Sequence, residues 1–175
     1  MPEDFILAID QGTTGSRVMI FDREGNVRGR AYSEFTQHFP EPGWVEHDAE
    51  EMWAVTQKII AEAITDADIG PEQVRGIGIA NQRETSLMWD RSDGKPVGRA
   101  IVWQDRRTSP LCEELRQEGL ETLWQHKTGL VIDPYFSATK VRWMLDNIDG
   151  LRERAEDGGI AFGTIDSWMG WKLSG

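Results

Sequence analysis

Only one cysteine, Cys112, occurs among 175 residues, which excludes an internal disulfide and a cysteine-rich zinc site. Cations are scarce as well: lysine and arginine number 19 against 30 aspartates and glutamates, a net charge of −11. Nucleic-acid affinity rests on a surplus of cations facing phosphates, so the charge argues against that class of partner. An anionic ligand must instead be held by a local device, such as backbone N–H groups, one or two arginines or a bound Mg²⁺. Long apolar runs are missing too. Residues 5–9 (FILAI) make a run of five, whereas a membrane helix needs roughly 20. The start, Met1-Pro2-Glu3-Asp4, is acidic where a secretory signal would be basic. Repeats and low-complexity tracts are likewise lacking. These absences predict a cytoplasmic, reduced chain with no membrane span. A composition of 39% apolar and 28% charged residues is that of a soluble globular domain.

Residues 5–9 and 18–21 (VMIF) carry strand patterning, and Asp22-Arg23-Glu24-Gly25-Asn26 supplies turn chemistry before a third strand over 27–36. Consecutive strands with short connections cannot be parallel, because a parallel pair needs a crossover of a dozen or more residues. The chain therefore opens with an antiparallel three-stranded meander. After the break at Pro40-Glu41-Pro42-Gly43, Asp48 caps a helix, with Glu51 completing a box-like pairing. Met52, Thr56, Ile59, Ala63 and Ala67 form its apolar stripe, widened by Ile60 and Ile64. Residues 74–80 (VRGIGIA) return as a buried strand in which Gly76 and Gly78 allow close packing. Short strands are expected over 85–89 and 100–103, with a hairpin-type turn at 92–96. Helices follow over 109–117, 120–126, 136–147 and 167–173, with a small strand at 160–162. The fold class is α/β with a mixed sheet and helices packed on it.

The densest chemical signal is Asp10-Gln11-Gly12-Thr13-Thr14-Gly15-Ser16-Arg17 between two strands. Glycines permit positive φ and close backbone approach, so successive N–H groups can converge on an anion. Thr13, Thr14 and Ser16 add hydroxyl donors, Arg17 a fixed charge, and Asp10 a carboxylate placed for Mg²⁺. Eight polar or glycine residues exceed what a hairpin turn needs, which favours a phosphate-binding loop. It is not of the Walker type, since no Gly-Lys-Ser/Thr follows. A second signal, Asn81-Gln82-Arg83-Glu84, ends the strand over 74–80. Ligand sites in open α/β sheets lie outside the carboxyl ends of strands, and adjacent Arg83 and Glu84 suit a hydroxylated molecule. On spacing alone, a solvated turn with an incidental ion pair explains them equally well. Of eight tryptophans, Trp53, Trp143, Trp168 and Trp171 fit helical stripes and core packing. Trp103 and Tyr135 sit at element ends beside polar residues, where a ring can cover the C–H face of a polyol and a phenol can bond one hydroxyl. Glu46-His47-Asp48 mimics a metal cluster, but the capping role of Asp48 explains it better. Cys112 is expected to be a buried thiol and Arg106-Arg107 a solvated face.

Taken together, these segments resemble the FGGY carbohydrate kinase family of the actin-like ATPase superfamily, and within it the members that phosphorylate glycerol. The matching stretches are residues 10–17 (DQGTTGSR), 42–48 (PGWVEHD), 81–85 (NQRET), 101–104 (IVWQ), 128–137 (TGLVIDPYFS) and 163–168 (GTIDSW). The Asp-x-Gly-Thr loop marks only the superfamily; NQRET with DPYFS is more specific. The resemblance implies a ribonuclease H-like fold and transfer of the γ-phosphoryl of ATP to a terminal hydroxyl of glycerol. It implies that Arg83, Glu84 and Tyr135 bond the glycerol hydroxyls and that Trp103 lines the carbon chain. Thr13, Thr14 and Gly15 would contact the phosphates of ATP, Arg17 would stabilise them, and Asp10 would organise Mg²⁺. Position 15 is glycine where many members have serine, so a contact there comes from the backbone N–H.

Members of the family are far longer and carry a second, adenine-binding domain. The resemblance therefore implies that residues 1–175 are an N-terminal portion, incomplete at the C-terminal end. It further implies that the general-base aspartate lies outside it and that the full-length protein is a homo-oligomer, and the isolated piece is expected to be inactive and aggregation-prone. Alternatives are another sugar kinase of the family acting on a pentulose or erythritol, a non-catalytic polyol-binding module, and an actin-like or chaperone ATPase.

Overall fold

A computed structural model describes residues 4–175; Met1, Pro2 and Glu3, part of the acidic start, lie outside the described residues. Along the chain run β1 (Phe5–Gln11), β2 (Gly15–Phe21), β3 (Val27–Glu34), β4 (Glu46–His47), α1 (Ala49–Asp66), a 3₁₀ turn (Pro71–Gln73) and β5 (Val74–Asn81). Then come β6 (Leu87–Asp90), β7 (Ala100–Ile101), α2 (Ser109–Gln117), α3 (Glu121–Thr128), α4 (Ser137–Asn147), α5 (Leu151–Glu156), β8 (Ile160–Gly163) and α6 (Ile165–Ser174). Two compact units share this chain. One holds the described residues up to Thr36 together with Asp48–Gln82 and Ile165–Gly175; the other holds Gln37–His47 and Arg83–Thr164. No helix among the described residues is long and apolar enough to cross a membrane.

The first unit is built on a mixed four-stranded sheet, order β3-β2-β1-β5. The antiparallel meander expected from the short connections is present, and β5 joins β1 in parallel after the α1 crossover. Period-two alternation sends Leu7, Ile9, Val18 and Ile20 to one face, where they meet Ile59 and Ala63 of α1. Burying a side chain of that size stabilises by about 1.5–3 kcal/mol. Asp48 caps α1, accepting from the N–H groups of Glu50 and Glu51 at 2.9 and 3.2 Å. The box-like pairing is not made: the Glu51 carboxylate accepts instead from the N–H and hydroxyl of Thr36. Trp168 of α6 is fully buried and its indole N–H donates to the Ala49 carbonyl at 3.4 Å.

β5 departs from expectation. Among the described residues it forms an edge of the sheet, and Ile77 is 48% exposed there. A Cβ added at Gly78 would meet nothing within 4 Å, so this glycine does not serve close packing within the described residues. The apolar run VRGIGIA specifies a strand but carries no information on how many of its sides are covered.

In the second unit the later strands pair among themselves as two small antiparallel sheets, β4-β7 and β6-β8. Its core gathers Met88, Ile101, Met144, Leu151 and Ile160, with Val97, Val141, Leu145 and Ile148 against them. β4 and α5 have no counterpart in the sequence reading. Cys112 is buried, as expected. Arg106 is exposed, but Arg107 corrects the reading of that pair as a solvated face. Its guanidinium lies 3.8 Å from the Trp44 ring centroid and 4.6 Å from that of Trp143. It bonds Asp105 through both Nε and Nη2 and reaches Glu46 at 2.8 Å. A buried guanidinium is tolerated because its charge is paired and its planar faces are stacked.

Candidate functional site

In the first unit, five of the eight residues expected to form a phosphate loop lie within the strand ladder. Asp10 and Gln11 end β1, Gly15, Ser16 and Arg17 begin β2, and only Gly12, Thr13 and Thr14 form the turn. The register pairs Asp10 with Arg17 and Gln11 with Ser16. Alternation then puts Gln11 on the α1 face, fully buried, and leaves Asp10 and Arg17 exposed on the opposite face. Tyr32 of β3 pairs with Arg17 in turn, and the guanidinium sits 5.9 Å from its ring centroid.

Neither Gly12 nor Gly15 has a positive φ among the described residues, so left-handed backbone is not why they are glycines. Space is the reason. A Cβ at Gly15 would lie 2.6 Å from the Tyr32 hydroxyl and 2.7 Å from the Ser33 carbonyl oxygen, and one at Gly12 would lie 3.0 Å from the Gly15 carbonyl oxygen. Beneath the turn, a satisfied polar network fixes it to the helix. Ser16 donates to the Gln11 carboxamide oxygen at 2.7 Å, Gln11 Nε2 donates to the Thr56 hydroxyl at 2.7 Å, and Thr56 donates to the Met52 carbonyl. Gln82, just beyond β5, clasps the same turn, its side chain donating to the Gly12 carbonyl at 3.2 Å and its N–H to that of Gln11 at 3.1 Å.

The described residues contain no group of three or more His, Cys, Asp and Glu side chains able to hold a metal ion. Asp10 offers a single exposed carboxylate. That fits Mg²⁺, which binds through one or two carboxylates with phosphate oxygens and water completing the octahedron.

The second unit brings Arg83, Glu84, Trp103 and Tyr135 together. Trp103, just after β7, meets Tyr135, just before α4, with ring centroids 5.7 Å apart at 66°. Burial, and next the neighbouring Glu84 carboxylate, push the Tyr135 phenol above its ordinary value, against the opposing charge of Arg83. Asp133 fixes the approach to the aromatic, accepting from the Tyr135 N–H at 2.8 Å and from Arg106 at 3.1 Å. Arg83 is exposed, while Glu84, Trp103 and Tyr135 are half-buried. The cluster thus offers guanidinium donors, carboxylate acceptors, a phenol and an aromatic face, a set suited to a small polyol.

One residue of this cluster escaped the sequence reading. Lys140 of α4 is fully buried, and its ammonium donates to the main-chain carbonyls of Glu84 and Tyr135. Burial is the main reason it is held at about 8, below the usual lysine value. The signal was present: Lys140 lies four residues before Met144, in phase with the inward stripe of α4.

Comparison with known proteins gives this geometry a context. A glycerol kinase of Bacillus velezensis is 57% identical over 173 residues, covering 99% of this chain and 35% of that protein. One from Carboxydothermus hydrogenoformans is 55% identical over 175 residues, covering 100% of this chain and 35% of the relative. The chain therefore spans about a third of the length of these curated relatives. Among solved structures, a Plasmodium falciparum glycerol kinase with ADP superposes with a TM-score of 0.88 at 34% identity, over 95% of this chain and 33% of that one. The fold is accordingly that of the actin-like ATPases. The model of the FGGY family of carbohydrate kinases, N-terminal domain, matches residues 5–175, and the chain belongs to that family.

Proposed function

We propose that this N-terminal domain serves an ATP-dependent glycerol kinase, which moves the γ-phosphoryl of ATP to a terminal hydroxyl of glycerol and yields sn-glycerol 3-phosphate. The observation that carries the proposal is the gathering of Arg83, Glu84, Trp103 and Tyr135 in one cluster. A triol needs donors, acceptors and an apolar surface for its C–H groups, and the cluster supplies each. Arg83, Glu84 and Tyr135 take the hydroxyls, and Trp103 covers the carbon chain. The similarity to glycerol kinases supports the same reading.

Phosphoryl transfer is mostly positioning and charge neutralisation. Thr13, Thr14 and the Gly15 N–H take the phosphates of ATP, Arg17 offsets their charge, and Asp10 holds Mg²⁺. Bound there, Mg²⁺ would neutralise charge on the phosphate oxygens. Glu84 is assigned to glycerol binding, so we assign the general base and the adenine-binding domain to parts of the kinase outside residues 1–175. We place the kinase in the cytoplasm, as a homo-oligomer.

The test is glycerol-dependent ADP release by the full-length protein over a polyol panel, with Arg83→Ala beside the wild type. Loss of a charge-assisted hydrogen bond is worth about 1.5–3 kcal/mol, so the glycerol KM should rise roughly 10- to 100-fold with the ATP KM unchanged. Faster turnover of xylulose or erythritol than of glycerol would sink the assignment in favour of another sugar kinase. Glycerol binding without turnover would favour a polyol-binding module.

A further inference from the structure

Lys140 is a costly residue to place where it stands. Its side chain is fully buried, and a buried cation without good partners is strongly disfavoured. A methionine or leucine would continue the apolar stripe of α4 at less cost. Among the hydrogen bonds its ammonium makes are those to the Glu84 carbonyl at 2.9 Å and the Tyr135 carbonyl at 2.5 Å. The Ser137 hydroxyl donates to the same Glu84 carbonyl at 3.5 Å. Glu84 and Tyr135 come from separate stretches of chain, one following β5 and the other preceding α4. The Glu84 carboxylate acts electrostatically on the Tyr135 phenol.

We propose that Lys140 is a positioning residue for the acceptor site: one buried ammonium fastens the main chain at Glu84 to the main chain at Tyr135 and so fixes the spacing of the carboxylate and phenol that grip a polyol. The inference rests on the reading of those two residues as polyol-binding groups. Lys140 touches the main chain of both residues, so its effect on an acceptor passes through them. Displacing a binding group by about 1 Å can cost as much as 10²-fold in rate, which sets the scale of the expected effect.

Lys140→Met in the full-length protein tests this. The glycerol KM should rise about 10- to 100-fold, and the preference for glycerol over propane-1,2-diol should shrink, because the grip on the third hydroxyl has lost its spacing. The ATP KM should hold. Arg107→Met, which removes a buried cation of the same unit outside the cluster, should lower the melting temperature and leave the glycerol KM alone. An equal rise in both variants would show a general loss of integrity and overturn the assignment. A Lys140→Met protein that melts cooperatively with an unchanged glycerol KM overturns it directly. Should that variant not fold, Lys140→Gln, too short to span both carbonyls, is read the same way, and an unchanged KM there is equally fatal. A wild type without glycerol turnover overturns the polyol reading itself, and the assignment of Lys140 with it.

Discussion

Arg17 stands directly across the β1–β2 ladder from Asp10. A guanidinium and a carboxylate therefore project side by side from the sheet face away from α1. Cβ atoms of directly opposed residues lie about 4.5–5.5 Å apart, close enough for one ligand of mixed charge to meet both. On the proposed function that ligand would be a nucleotide with its metal, its phosphate oxygens meeting Arg17 and its cation Asp10. Arg17→Ala in the full-length protein should raise the ATP KM or lower kcat by roughly 10- to 100-fold, the equivalent of a charge-assisted hydrogen bond. The glycerol KM should stay put. Steady-state kinetics with each substrate varied in turn would show this, and a loss confined to glycerol would contradict it.

Gly15 and Tyr32 behave as a matched pair. Because a Cβ at position 15 would press on both the Tyr32 hydroxyl and the Ser33 carbonyl, Gly15→Ala should destabilise the protein by about 1–3 kcal/mol, the usual cost of overpacking. Adding Tyr32→Ala should recover only part of that, since the Ser33 carbonyl is main chain and stays in place. Urea denaturation measures both, and a Gly15→Ala variant as stable as the wild type would refute the steric argument.

The network under the turn makes a prediction about coupling. Thr56→Val keeps the shape of the side chain but leaves the Gln11 carboxamide N–H without the acceptor it has at 2.7 Å. An orphaned buried donor costs about 1–3 kcal/mol. Gln11→Leu with Thr56→Val should cost less than the two single substitutions added together. Strict additivity in the melts would show that the network is not a unit.

Acid stability should carry the mark of Asp90. Its carboxylate accepts from the hydroxyl and N–H of Ser92 at 2.5 and 2.7 Å and from Arg154 at 2.6 Å. The Ser92 bonds, followed by Arg154, hold it at about 2 against an ordinary value of 3.8. The folded value lies below the unfolded one, so the contribution is present above about 3.8 and is lost as pH falls toward 2. The melting-temperature gap between wild type and Asp90→Asn should therefore be open at pH 6 and close across that interval. A gap independent of pH would count against the bonding described.

What the sequence disclosed divides along the line between local and distant causes. The start of α1 was legible because Asp48 caps it through its own near neighbours, and α2 because its boundaries are local. Arg106 and Arg107 were not distinguishable, since what buries the second is a pair of rings from Trp44 and Trp143, far away in the chain. At the turn over residues 12–14 the residue types were readable and the ladder was not, because cross-strand pairing is set by both strands at once. At the acceptor cluster, spacing alone left Arg83 and Glu84 as ambiguous as a solvated turn, and family resemblance singled them out. Lys140 is invisible to a periodic pattern, because helical periodicity counts only apolar residues.

The three-residue turn at Gly12, Thr13 and Thr14 has a thermodynamic consequence. Laddered on both sides and clasped at Gly12 by Gln82, it has little conformational entropy left to surrender when an anion arrives, and preorganisation of this kind lowers the cost of binding. In a calorimetric titration, an anion captured there should show a smaller unfavourable entropy than the ordering of a floppy loop would impose.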